Sequence, residues 1–127
     1  MTTIQDLCQG LPTQTFEPGT VLFAEGKQDG ALCVLISGQV EILKGDFQVN
    51  TVSGPGAFFG EMSILLNTPH TATVRALTQC QAYWVADGDA FLRSNKEVAY
   101  DFLKILAQRL QGVTTYLTDL NRYVRSM

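Results

Sequence analysis

The fold of this chain is decided by the stretch Phe59-Gly60-Glu61-Met62-Ser63-Ile64-Leu65-Leu66-Asn67-Thr68-Pro69-His70-Thr71-Ala72-Thr73-Val74. A glycine and a carboxylate stand near its start, at Gly60 and Glu61, and the only histidine of the chain, His70, follows in its second half. From position 71 to position 76, polar side chains alternate with small or apolar ones. This period of two predicts a strand with one inner and one outer face, entered through a short polar turn.

Short strands separated by glycine and proline flank this stretch on both sides. Upstream, the sequence predicts a turn over residues 16–19 and then strands over residues 21–23, 31–37, 39–44 and 47–52. Downstream, it predicts strands over residues 71–76 and 79–85. Strands with turn residues at intervals of about 8–12 are typical of a β-sandwich, barrel or jelly roll. One or two helical turns over residues 3–11, capped by Thr2 or Thr3 and ended by Pro12, are predicted to precede them.

The hydrophobic period changes from a strand pattern to a helix pattern at Asp87. Asp87 or Asp89 is expected to cap a short helix that runs to Arg93, and a long helix is predicted over residues 96–124. Along the long helix, apolar residues recur at alternating steps of three and four, which is a heptad seam: Leu103, Leu106, Leu110, Val113, Leu117, Leu120 and Val124. Because soluble monomers rarely expose such a stripe, we expect the helix to pair with a second copy.

Length and composition indicate one ordinary globular domain over residues 1–127. The apolar fraction is 46%, the charged fraction 17% and the net charge −3, and this last value argues against non-specific nucleic-acid binding. The three cysteines, Cys8, Cys33 and Cys80, form no CxxC pair, so we expect buried, reduced thiols in a cytoplasmic protein and no zinc. The first residues lack the features of a signal peptide, and no window reaches the roughly 18 apolar residues of a membrane span.

With these elements in place, the chain resembles the cyclic nucleotide-binding domains of catabolite-activator-type (Crp/Fnr-like) bacterial regulators. The resemblance is carried by residues 59–74, by glycines at positions 19, 26 and 38 where that family turns, and by Leu106-Ala107-Gln108-Arg109-Leu110, which resembles the family's dimer helix.

The resemblance implies a mainly β fold. A barrel-like jelly roll is expected over about residues 14–86, with a short N-terminal helix before it and helices over about residues 87–125, the last of which forms the dimer. Regulators of this type continue into a helix-turn-helix DNA-binding domain, whereas this sequence stops after the long helix. We therefore expect a stand-alone sensor module or the sensor fragment of a transcriptional regulator.

The resemblance also implies a pocket for a cyclic nucleotide, cAMP or cGMP, with no other cofactor and no metal. In that family a glutamate binds the ribose hydroxyl and an arginine binds the cyclic phosphate. The matching positions here are Gly60, Glu61, Met62, Ser63, His70 and Thr71, and His70 stands where the family has its arginine. An arginine donates two parallel charged hydrogen bonds, whereas an imidazole has at most two donors and is largely neutral at neutral pH.

Several of these residues have more than one interpretation. His70 is either a weakened, pH-dependent phosphate contact or an exposed polar residue in a pocket that has lost or changed its ligand. Glu61 is either a ligand for ribose or a solvated loop residue or cap, and Gly60 either admits the ligand or only forms a turn. Arg75 is an odd number of residues from His70, so it is predicted to point to the opposite strand face.

The leading hypothesis is a cytoplasmic regulatory module that senses a cyclic nucleotide or another anion, forms a homodimer, and binds neither nucleic acid nor membrane. The alternative is a ligand-free dimerisation or protein-interaction module. We do not expect an enzyme. A metal-dependent enzyme on a jelly roll needs several histidines and glutamates around its ion, and this chain has a single histidine and no P-loop.

Overall fold

The computed structural model describes residues 4–126, and within them eight strands form two antiparallel sheets. In chain order the strands are β1 (Thr13–Phe16), β2 (Val21–Phe23), β3 (Leu32–Ser37), β4 (Gln39–Lys44), β5 (Phe47–Ser53), β6 (Phe58–Phe59), β7 (Thr73–Ala76) and β8 (Cys80–Val85). One sheet has the order β1-β8-β3-β6 and the other the order β2-β7-β4-β5. The predicted mainly β fold with a long C-terminal helix is therefore confirmed.

Four helices accompany the sheets in the described part of the chain: α1 (Ile4–Leu7), α2 (Glu61–Leu66), α3 (Gly88–Ser94) and α4 (Lys96–Ser126). The carboxylate of Asp87 accepts the N–H of Ala90 at 3.1 Å, so Asp87 caps α3 as predicted. The first helix ends at Leu7, earlier than predicted, and the caps proposed at Thr2 and Thr3 lie outside the described residues.

Two strands and one helix were not predicted from the sequence. β1 is polar and mostly exposed, and it is held by backbone pairing with β8, from Thr13 opposite Tyr83 to Phe16 opposite Cys80. β6 has only two residues, which pair with β3. α2 occupies part of the segment expected to be a turn, and the strand expected from residue 71 begins at Thr73 instead.

The core contains inward-facing residues from both sheets, with Ala31 from the loop before β3: Phe16, Leu22, Phe23, Ala31, Cys33, Leu35, Val40, Val74, Ala76, Cys80 and Ala82. All three cysteines are free and buried, as predicted. Burial is the main reason that the pKa of Cys33 rises to about 12. These thiols are therefore protonated at neutral pH and pack as small apolar side chains.

The chain divides into two compact units, one up to Ser94 and one from Asn95 onward. The first unit holds both sheets with α1, α2 and α3, and the second is α4 with its flanking residues. The prediction of one domain over residues 1–127 stays a prediction. No helix in residues 4–126 is long and apolar enough to cross a membrane.

Arg75 lies on the strand face opposite to the core residues Val74 and Ala76, as its position in the alternating pattern predicts. It is directly across from Glu41, on β4, and its Nε and Nη2 atoms each donate to Oε2 of Glu41 at 2.9 Å. Gln48 donates to the other oxygen of the same carboxylate at 3.1 Å. Hydrogen bonds from Arg75 and then from Gln48 lower the pKa of Glu41.

This lowered pKa predicts a defined pH dependence of stability. A carboxylate whose pKa is lower in the folded state stabilises the fold above the ordinary glutamate pKa of about 4.3, and the contribution is lost as the pH falls through the lower folded value. We expect Glu41→Gln to reduce the melting temperature at pH 7 and to flatten its fall below about pH 5. Thermal unfolding at a series of pH values measures both effects, with Asp46→Asn, in an exposed turn, as the control. An unchanged pH profile for Glu41→Gln would contradict the prediction.

Candidate ligand-binding site

A cavity of about 180 Å³ lies in the first unit, next to α2 and the loop that follows it. All six residues identified from the sequence line it: Gly60, Glu61, Met62, Ser63, His70 and Thr71. The remaining lining residues come from the strands, from the end of α2 and from the loop that follows it: Phe23, Ile42, Phe59, Leu66, Thr68, Pro69, Ala72 and Val74. The six predicted residues span positions 60–71, and in the structure they surround one cavity.

Gly60 is required by the backbone immediately before α2. Its φ of 95° lies in the left-handed region, which side chains other than glycine's rarely adopt. A Cβ atom at this position would collide with the carbonyl oxygen of Ala31 and would lie 3.3 Å from the ring of Phe23. The conformation and the packing of the chain therefore account for this glycine without a ligand.

We expect Gly60→Ala to lower the free energy of unfolding by more than Gly19→Ala does. Gly19 has a similar φ of 88°, but a Cβ there would meet nothing within 4 Å. Both substitutions incur left-handed strain of about 1–3 kcal/mol, and only Gly60→Ala adds overpacking, of about 1–3 kcal/mol. Urea unfolding of both variants measures the difference. Equal losses would show that the contact with Ala31 relaxes without cost.

α2 fixes the two buried polar residues at the start of the site. Glu61 is 6% exposed, so the interpretation of this residue as a solvated loop residue is wrong. The hydroxyl of Ser63 donates to the carbonyl of Thr68 at 2.5 Å, and the carbonyl of Ser63 accepts the N–H groups of Thr68 and Asn67. The hydroxyl proton of Ser63 therefore stabilises the loop after α2 and does not point to a ligand.

His70 is buried, so the interpretation of this residue as an exposed polar side chain is also wrong. Its backbone pairs in both directions with the loop before β3: its N–H donates to the carbonyl of Lys27, and its carbonyl accepts the N–H of Gly26, both at 2.8 Å. Its ring lies against Phe23, with centroids 4.8 Å apart, and Nε2 is 3.2 Å from Oδ1 of Asp29. These contacts hold the imidazole in the wall of the cavity.

Asp29 and Phe23 contact the ring of His70, and neither was identified from the sequence. The same Oδ1 of Asp29 that faces His70 also accepts the N–H of Ala31 at 3.0 Å, which orients the carboxylate. Asp29 and His70 are 41 positions apart, and no local pattern connects them. Phe23 stacks on Trp84 with centroids 5.1 Å apart, and Trp84 packs against the core.

Thr71 and the nearby lysine complete the rim of the site. Thr71 is exposed, and its carbonyl accepts a hydrogen bond from Nζ of Lys44 at 2.6 Å. The same ammonium group is 3.2 Å from Oε2 of Glu25. Thr71 thus lines the cavity, whereas Lys44, which contacts these two oxygen atoms, does not.

Comparison with known proteins agrees with this geometry. The sequence model for the cyclic nucleotide-binding domain matches residues 13–94. A CRP-like cAMP-activated global transcriptional regulator of Mycobacterium tuberculosis is 32% identical in an alignment of length 124 that covers 92% of this chain and 55% of the regulator. A cAMP-dependent protein kinase regulatory subunit of Yarrowia lipolytica is 32% identical over 122 residues, which are 96% of this chain and 32% of the subunit.

Among solved structures, the catabolite activator protein of Thermus thermophilus matches with a TM-score of 0.75 at 25% identity. The match covers 93% of this chain and 59% of that protein. The chain thus spans between a third and three fifths of the length of these relatives. Since the family match covers both sheets and the whole cavity, this chain belongs to the cyclic nucleotide-binding domain family.

Proposed function

We propose that this chain is a regulatory, ligand-sensing module whose cavity takes a cyclic nucleotide or a close relative of one, with nucleotide binding weakened or altered by His70. The observation that carries the proposal is that the six residues named above line a single cavity. The names of two relatives support a role for cAMP, since one is a cAMP-activated regulator and the other a cAMP-dependent kinase regulatory subunit. The same relatives support a regulatory rather than a catalytic role.

In this proposal the carboxylate of Glu61 accepts hydrogen bonds from ribose hydroxyls, since a carboxylate offers several acceptor positions. Thr71 donates its hydroxyl to a phosphate oxygen, while Gly60, Met62 and Ser63 form the adjoining wall. His70 provides the only nitrogen donor at the position where the family has arginine, and that nitrogen already faces Asp29. The phosphate contact is therefore weak.

We further propose that the module forms a parallel homodimer through α4, in the cytoplasm and without direct nucleic-acid binding by this chain. The residues of the seam that we expect to form the dimer contact are Leu106, Leu110, Val113, Leu117, Leu120 and Val124. Leu110 is 68% exposed and Leu117 56% exposed, so in a single chain these seam residues face solvent. Such a stripe favours association with an identical seam.

A ligand-free dimerisation or protein-interaction module is the second candidate. The observation that favours it is the pairing of His70 with Asp29, because this contact satisfies the imidazole within the chain itself. In this candidate the domain acts only through the exposed seam of α4.

A thermal-shift series with cAMP, cGMP, adenosine and guanosine distinguishes the two candidates. A ligand that binds only the folded state raises stability by about 2.7 kcal/mol at 100 times its dissociation constant. We expect a concentration-dependent rise in melting temperature with at least one of these compounds, and its loss in Glu61→Gln. No rise with any of them, for the native chain and for His70→Arg, would favour the ligand-free module.

A further inference from the structure

We propose, on the basis of the proposed function, that the cavity prefers an uncharged ribonucleoside to a cyclic nucleotide. The first observation is the charge of the wall. Among the described residues that line the cavity, none is a lysine or an arginine, and the ionisable ones are the carboxylate of Glu61 and the imidazole of His70. A cyclic phosphate carries a full negative charge, and it would enter beside a carboxylate with no fixed cation to receive it.

The second observation concerns the contact and the burial of the His70 side chain. Its Nε2 lies 3.2 Å from the carboxylate of Asp29, and its side chain is only 7% exposed. Asp29 thus places a second carboxylate near the cavity, in addition to that of Glu61 in its wall. A phosphate near His70 would also compete with Asp29 for the same nitrogen. An uncharged ligand avoids both effects.

The third observation is that Arg75 and Lys44 are engaged by other groups and that neither they nor Lys27 line the cavity. Arg75 donates twice to Glu41 on the outer strand face, away from the cavity. Lys44 contacts the carbonyl of Thr71 and the carboxylate of Glu25. Lys27 contributes its backbone carbonyl to the N–H of His70, its side chain is exposed, and it does not line the cavity.

The remaining features of the cavity suit a ribose and a base. Glu61 accepts hydroxyl donors, which a ribonucleoside offers at three positions and a 3′,5′-cyclic nucleotide at one. Phe23, Ile42, Phe59 and Val74 provide an apolar wall for a flat base.

Titration calorimetry of the native chain with adenosine, guanosine, cAMP and cGMP, at one pH and one ionic strength, tests the proposal. We expect one nucleoside to bind at least about tenfold more tightly than its cyclic nucleotide, because the negative phosphate meets a negative carboxylate and no cation in the cavity wall offsets it. Equal or tighter binding of the cyclic nucleotide would overturn this inference and leave the proposed function in place. If the native chain bound none of the four compounds and His70→Arg bound cAMP, this inference would likewise be overturned and the proposed function would remain. No binding by either protein would overturn both.

Asp29→Asn tests the electrostatic cause of the preference. The amide oxygen can still accept the N–H of Ala31, so the local structure is retained while one negative charge is removed. We expect the ratio of nucleoside affinity to cyclic nucleotide affinity to fall several-fold in this variant. Asp46→Asn, which removes the same charge from an exposed turn, is the matched control and should leave the ratio as it is. An unchanged ratio in Asp29→Asn would show that charge does not set the preference.

Discussion

His70→Arg is expected to raise the affinity for cAMP at least tenfold. A guanidinium has five N–H donors in a planar fork and stays charged at all relevant pH values. Asp29 lies 3.2 Å from the present ring nitrogen, so its carboxylate can hold one edge of the fork while the other edge faces the cavity. Each hydrogen bond to a charged group contributes about 1.5–3 kcal/mol, and about 1.4 kcal/mol corresponds to a tenfold change in affinity.

Calorimetry with cAMP on the native chain, on His70→Arg and on His70→Gln measures this gain. His70→Gln keeps a polar side chain at the position without a charge, so it should show no gain. Circular dichroism of each variant controls for folding, because a longer side chain enters a buried position. A folded His70→Arg protein with no gain in cAMP affinity would show that the cavity differs from that of its relatives at more than this residue.

Much of the fold was predictable because its signals are local. β4 has the bounds expected from the sequence, since Gly38 precedes it, Gly45 follows it and apolar residues such as Val40 and Ile42 favour a strand between them. β1 gave no such signal. Its residues are polar and exposed except for Phe16, and its stability comes from pairing with β8, more than 60 positions away. Local propensity does not report a contact of that kind.

The candidate site shows the same division between local and distant information. The resemblance identified six residues, and these six line one cavity. The burial of His70 was not predictable, because it depends on Asp29 and Phe23, both more than 40 positions upstream. The role of Ser63 was also unexpected, since its hydroxyl bonds to a carbonyl of the next loop. A sequence pattern gives the residue types at a site, whereas the tertiary contacts decide which of their donors remain available.

Leu117→Glu is expected to convert the proposed homodimer into monomers. Leu117 lies at the centre of the exposed seam of α4, between Val113 and Leu120. In a symmetric dimer one substitution removes two leucines from the interface, and burial of each contributes about 1.5–3 kcal/mol. The dimer dissociation constant should therefore rise by about 10²–10⁴-fold, before the cost of placing two carboxylates in an apolar contact is added.

Light scattering and analytical ultracentrifugation at micromolar concentration measure the association state. Gln108→Glu is the matched control, because it adds the same charge to an exposed position on the opposite side of α4 from the seam. We expect dimers for the native chain and for Gln108→Glu, and monomers for Leu117→Glu. The helix itself should persist in the variant, since glutamate is a good helix former and the seam is already exposed in the single chain. A native chain that is monomeric at this concentration would contradict the proposed pairing of α4, and the exposed seam would then have to bind a different partner.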